Sequence, residues 1–301
     1  MNKHAYLIIA HNNWNILKKL LLLLDDDKND IFLHIDLKAD DFPREEIENC
    51  VNKSKIYIWK EKRLFWADYS LVDVTLMLMK RARDAGEYSY YHLLSGVDMP
   101  IKGKNDIYSF FEKSGREFIG IVPGETFYSV RRVKYYHVLT HNDLFRNMKL
   151  LKALDRVSEY IQRFFRVNRI KHYTGKIIDG WEWFSITDIF CQYVLDKEKD
   201  IKSMFSKSIA PDELVFQTVA YNSEFRERLN CESDLKTGSM RYIDWQRGRP
   251  YVWGTEGTER DFEMLLNSPY LFARKFDEKV NMEIVDKIYD RLKEGSDNYE
   301  Q

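Results

Sequence analysis

A chain of 301 residues buries roughly three quarters of the surface its unfolded form exposes, enough for a sizeable core. With 44% hydrophobic and 32% charged residues the composition is globular and too apolar for disorder; 47 Lys and Arg against 48 Asp and Glu leave a net charge of −1, which excludes capture of nucleic acid by bulk charge. Cys50, Cys191 and Cys231 stand far apart with no C-x-x-C pair, excluding a dense disulfide framework or a cysteine zinc site and suiting a reducing compartment.

The opening MNKHAYLIIAHNN holds a short apolar run broken by His11, and Leu20–Leu24 stops at Asp25. Both fall short of a signal peptide or of the roughly 20 apolar residues of a membrane span, so a soluble, cytoplasmic chain is expected. Tyr6–Ala10 reads as a buried strand, Trp14–Leu24 as a helix and Asp25-Asp26-Asp27 as the turn closing it. Ile31–Asp36 is a second strand, residues 43–51 a helix, Lys55–Trp59 a third strand, Ser70–Ala85 a helix ending before Gly86, and Tyr90–Ser95 a fourth strand. Strands alternating with helices predict an α/β fold, a mostly parallel sheet with helices on both faces, and ligands beyond the carboxyl ends of the strands. Those ends carry His11, Asp36, residues 63–66 and Ser95-Gly96-Val97-Asp98.

Residues 131–176 are rich in Arg, Lys, Tyr and Phe, and 150–165 forms an amphipathic helix that either has a solvated basic face or makes peripheral contact with an anionic membrane. Residues 180–184 read as a strand, 187–195 as a helix capped by Thr187, and Pro211-Asp212-Glu213 as a helix start. Without repeats or a Pro/Gly-rich linker the chain is expected to be one domain, 1–301, with a nucleotide-binding half of about 1–115 and an acceptor and catalytic half of about 116–301.

G-x-G-x-x-G, G-x-x-x-x-G-K-[ST], G-x-S-x-G and H-E-x-x-H are all absent. Asp25-Asp26-Asp27 has the look of a metal-holding carboxylate string but lies in a turn at the wrong end of the sheet, and Asp36 and Asp98 each stand alone. Asp212-Glu213 and the late cations Arg247, Arg249, Arg274 and Lys275 remain.

Five segments in order, YLIIAH at 6–11, FLHID at 32–36, LSGVDMP at 94–100, PDE at 211–213 and LFARKFD at 271–277, resemble glycosyltransferase family 14, the core-2/I-branching β-1,6-N-acetylglucosaminyltransferases and peptide O-xylosyltransferases. The resemblance runs from about residue 4 to 281. It implies a GT-A-like fold, a UDP-sugar donor, inversion at the anomeric carbon, and no metal or other cofactor. Matched residue by residue, Glu213 falls on the general base and Lys275 on a lysine contacting the UDP diphosphate. Arg249, or Arg247 where the loop differs in length, falls on an arginine doing the same. Ala10, His11 and Asp36 match the uridine side, Trp66 an aromatic position beside the nucleotide, and Asp98, in the motif at the end of the fourth strand, is a further donor-binding candidate. Trp245 matches a tryptophan packing on the acceptor sugar, with Trp181 a second acceptor-side aromatic.

Two departures matter. Animal members are disulfide-rich and membrane-anchored, whereas three scattered cysteines and no anchor look like a bacterial-type member. An acidic acceptor-binding position lacks a counterpart where the chain reads Ser129-Val130-Arg131-Arg132, so a mucin core acceptor is not expected. The resemblance thus implies transfer of a sugar, GlcNAc, to a glycan or lipid-linked saccharide in cell-surface polysaccharide synthesis. A glycoside hydrolase, drawing a second carboxylate from Asp98 or Glu182, and a non-catalytic sugar- or nucleotide-binding module are the alternatives.

Overall fold

The structure, a computed structural model, describes residues 3–297. Nine strands build it: β1 (His4–Ala10), β2 (Asn29–Ile35), β3 (Lys55–Trp59), β4 (Tyr90–Ser95), β5 (Met99–Pro100), β6 (Phe118–Ile121), β7 (Gly180–Thr187), β8 (Arg241–Ile243) and β9 (Phe272–Arg274). Six form one sheet in the order β3-β2-β1-β4-β7-β6. β3, β2, β1 and β4 are parallel neighbours, with His4 opposite Asn29 and Tyr90. β7 runs antiparallel to both β4 and β6. The remaining strands form a small sheet, β5-β9-β8.

All seven residues of β1 and all seven of β2 are buried, as expected of strands covered on both sides. Alternation sends Ala5, Leu7, Ile9, Phe32 and Leu93 to one face, against the Ser70–Ala85, Asp188–Asp196 and Val215–Tyr221 helices. It sends Tyr6, Ile8, Ala10, Leu33 and Leu94 to the other, against the Trp14–Leu24, Lys104–Ser114 and Glu283–Asp297 helices. The expected fold class, a mostly parallel α/β sheet between two helical layers, is borne out.

The Trp14–Leu24 and Ser70–Ala85 helices and the strands at 55–59 and 90–95 have their expected limits. β1 and β2 each start two residues before the apolar run, because polar residues find partners there. His4 Nδ1 meets His92 Nε2 at 3.1 Å, and Asn29 Nδ2 donates to the Leu24 carbonyl at 2.7 Å. The helix expected over 43–51 shrinks to Arg44–Glu48, and the strand at 180 continues to Thr187, whose hydroxyl accepts from the Phe190 amide. Asp25 accepts the amides of Asn52, Lys53 and Ser54, and Asp26 pairs with Lys104. The acidic string is the tie of a turn ahead of β2.

Candidate active site

The carboxyl ends of β1, β2 and β4 converge with the end of β9. Ala10, at the end of β1, is 1% exposed and its carbonyl accepts the Asp36 amide at 2.9 Å. A Cβ on Gly96 would lie 2.7 Å from the Ala10 Cβ, so only glycine lets the turn after β4 close on β1. Asp36 is buried, and its Oδ1 accepts the Lys38 and Leu64 amides at 3.1 and 3.3 Å. Its Oδ2 stands 3.6 Å from the Lys38 ammonium. His11 lies beside it. Desolvation in this concave corner lowers the His11 pKa, opposed by the Asp36 charge and reinforced by Lys275, Arg146 and Arg274. Neutral imidazole is the favoured form.

Arg274 leaves β9 toward the same corner. It donates to Asp98 Oδ1 at 2.7 Å and to the Ser95 hydroxyl, and stacks over the Trp183 ring at 4.3 Å. Asp98 also accepts the Ser95 amide and hydroxyl, at 2.7 and 2.8 Å. Both Asp98 oxygens are therefore engaged within the protein, and the residue's visible work is to hold Arg274. Lys275, next in the chain, forms no ion pair with the described residues. Desolvation, with Arg274 and Arg146 nearby, lowers its pKa. The Asp277 and Asp98 charges oppose this lowering only in part, and an incoming anion would relieve the rest.

The second part of the site is built around Arg132, 3% exposed on the Phe127–Lys134 helix. Its guanidinium donates to the Ile209 carbonyl at 3.1 Å, the Ala210 carbonyl at 2.5 Å, Asp179 Oδ1 at 3.0 Å and Glu213 Oε2 at 2.7 Å. The planar fork suits such several-point fixation. The Ala210 amide in turn donates to the Ala67 carbonyl. Ala67 and Ala210 both hold left-handed backbones, φ 61° and 47°, a conformation costing a non-glycine residue roughly 1–2 kcal/mol and kept where surroundings over-determine it. The expected helix start is a 3₁₀ turn, Pro211–Glu213, ahead of the Val215–Tyr221 helix. Glu213 Oε1 is left without a hydrogen bond to the described residues.

Carboxylates crowd this turn. Desolvation raises the Glu213 pKa, with Arg132 opposing it and Asp179 adding to it. Asp212 is pushed up to about 7 by burial and then by the Glu213 charge, and its Oδ1 is buried without a partner. Glu182, on β7, is raised well above the carboxylate range by desolvation, with Asp212, Glu213 and Asp98 adding and Arg274 opposing. Arg274 stacks over Trp183, next to Glu182 on β7, and the charges of both Arg274 and Glu213 act on Glu182. Trp181, partly buried beside Glu182, packs on the core and its carbonyl accepts from Gln217.

Trp66, 49% exposed, faces Phe145 at 6.3 Å and the Lys152 ammonium at 5.2 Å. It walls a cleft of about 230 Å³ shared with Tyr128, Arg132 and Arg156. Trp245 is half exposed on the loop after β8. Arg247 and Arg249 have different surroundings. Arg247 pairs with Asp244, Glu256 and Asp261 at 2.7, 3.2 and 3.0 Å and stacks on Tyr251 and Trp253. Arg249 is exposed and has no ion-pair partner among the described residues. Sequence reasoning missed Arg132 as an organising part of the site, and placed Arg274 among the late cations without its tie to Asp98. Each has its partners roughly 50 to 180 residues away in sequence, so spacing carries no signal for either.

Among the described residues no group of three or more His, Cys, Asp or Glu is placed to hold a metal ion.

Residues 4–263 match the family described as Core-2/I-Branching enzyme. Xylosyltransferase 2 of Rattus norvegicus is 23% identical over 305 residues, covering 94% of this chain and 33% of its own length; the Homo sapiens protein of that name is 22% identical over 309, with the same coverage. Xylosyltransferase sqv-6 of Caenorhabditis briggsae is 29% identical over 146 residues, 43% of this chain and 18% of its own. The chain spans about a third of the length of the two xylosyltransferase 2 proteins. Among solved structures, the apo form of mouse xyloside xylosyltransferase 1 covers 93% of this chain and 99% of its own, at 9% identity and a TM-score of 0.37. With most of its length matched, the chain belongs to the Core-2/I-Branching enzyme family of glycosyltransferases.

Proposed function

We propose that the protein transfers a sugar, GlcNAc, from a UDP-sugar to a saccharide or lipid-linked saccharide with inversion and without a metal, in cell-surface polysaccharide synthesis. What supports this reading is an Arg132-held, half-exposed carboxylate, Glu213, together with a half-buried lysine, Lys275, that follows the Asp98-bound Arg274. In the displacement the acceptor hydroxyl oxygen bonds to the anomeric carbon as the bond from that carbon to the diphosphate oxygen breaks. The hydroxyl proton passes to Glu213 Oε1, and UDP leaves with the electron pair. Desolvation makes Glu213 a stronger base than a free carboxylate. Lys275 and Arg249 meet the charge growing on the diphosphate, the electrostatic part a metal takes in other enzymes. Asp36 and neutral His11 offer hydrogen bonds to uridine, Trp66 a stacking face, and Trp245 and Trp181 apolar faces for the acceptor sugar. The xylosyltransferase names of the relatives make UDP-xylose the second donor to test.

Calorimetry with UDP in EDTA, alongside a screen of UDP-sugars for slow donor hydrolysis, tests this. UDP is expected to bind without metal. Lys275→Ala and Arg249→Ala should each weaken it roughly tenfold to a hundredfold, the worth of a charge-assisted contact. Arg247→Ala should cost stability and leave UDP affinity unchanged. UDP binding that appears only with Mg²⁺ or Mn²⁺ would overturn the metal-free mechanism.

A further inference from the structure

The Lys149–Phe164 helix carries its faces the wrong way round for a helix packed on a core. Leu150, Leu154, Val157, Ile161 and Phe164 are spaced by four, three, four and three residues, one stripe of the helix surface. All five are exposed, Phe164 by 82% and the adjoining Phe165 by 71%. Asp155 and Glu159, on the opposite side, are the buried ones. Asp155 meets His137 Nδ1 at 2.7 Å, and Glu159 meets Arg131 Nε at 2.5 Å. The Asp155–His137 contact and the Glu159–Arg131 ion pair thus fix the inward face, and rolling the stripe inward would strip His137 and Arg131 of these partners.

Charge surrounds the stripe. Residues 131–176 hold twelve Lys and Arg against three Asp and Glu, while the rest of the chain holds 35 against 45. Lys149, Arg156, Arg163 and Arg166 are exposed on or beside the helix. We propose that this face docks on an anionic lipid bilayer, with the stripe and Phe165 in the headgroup–acyl boundary and the cations on lipid phosphates. Charge decides the occupant: a second copy would bring the exposed Lys149, Arg156, Arg163 and Arg166 of two chains together, whereas an anionic surface neutralises them. Contact is peripheral, since among the described residues no helix is long and apolar enough to cross a membrane.

The inner flank of the same helix, through Lys152, Asp155, Arg156 and Glu159, walls the cleft that Trp66 and Arg132 also line. Docking therefore brings the cleft to the membrane, where a lipid-linked saccharide sits. That last step rests on the transferase reading; the docking itself does not.

Co-sedimentation of the full chain at low salt tests the docking. The probes are phosphatidylcholine vesicles with and without about a quarter phosphatidylglycerol. The chain should pellet with the anionic vesicles alone, and added salt should weaken this. Phe164→Ser with Phe165→Ser should lower partition about tenfold or more. Arg163→Glu with Arg166→Glu should lower it by a similar factor. Both pairs should keep the native circular dichroism and UDP affinity. Equal recovery in the supernatant with and without anionic vesicles would overturn the proposal. So would unchanged partition of the variants, or a dimer in sedimentation equilibrium that the Phe pair disperses while vesicles bind nothing. Vesicle binding without UDP binding would instead retain the docking and defeat the transferase reading.

Discussion

Two helices of sixteen residues, Ser70–Ala85 and Lys149–Phe164, share an amphipathic pattern and meet opposite fates. The first buries Val72, Val74, Leu76, Leu78, Met79 and Ala82 against the sheet. The second buries Asp155 and Glu159 and turns its leucines and phenylalanines outward. Period alone establishes that a helix has two faces. Which face points inward depends on what the rest of the chain offers: an apolar sheet for one, and His137 and Arg131 for the other. The same contrast runs through the whole molecule. The parallel half of the sheet is held by apolar burial, and the region around the candidate base by buried charge.

Truncations on the two helices should differ by the largest margin. Leu78→Ala, at a fully buried position, should cost about 2–5 kcal/mol in denaturant unfolding through lost transfer energy and a cavity. Val157→Ala, 52% exposed, should stay within about 0.5 kcal/mol. A loss at Val157 comparable to that at Leu78 would show that something covers the stripe in the free protein.

The next effect is expected on the inward face. Asp155→Asn keeps the shape but removes the charge facing His137 Nδ1 at 2.7 Å. It should lower stability by about 1–3 kcal/mol, read by denaturant unfolding and by earlier proteolytic cleavage within the helix. Stability equal to the parent's would mean that the helix is held by something other than its buried polar contacts.

The comparison also explains what the sequence reveals. Strands and helices of the parallel half are legible to within a few residues, because apolar runs such as Tyr6–Ala10 and Ile31–Ile35 state their own burial. The small sheet is not, since strands of two or three residues such as Met99–Pro100 and Phe272–Arg274 are too short to show a period. At the site, Glu213 and Lys275 are visible through the PDE and LFARKFD motifs. Asp98 is visible too, but as a partner for substrate, whereas its oxygens are spent on Ser95 and Arg274. Arg132 shows in the sequence only as a departure from an expected acidic position. Its grip on residues 209, 210, 179 and 213 exists only once the chain has closed.

In the proposed transfer Glu213 takes the acceptor proton while other residues hold UDP. Glu213→Gln preserves the shape and a hydrogen-bond acceptor for Arg132 but removes the base. Single-turnover transfer from the preferred UDP-sugar, measured alongside UDP affinity, tests the claim most directly. Turnover should fall about 10²–10⁴-fold with UDP affinity unchanged. Near-normal transfer by Glu213→Gln would contradict it and move the base to Asp212 or Glu182, the neighbouring carboxylates whose pKa values burial also raises.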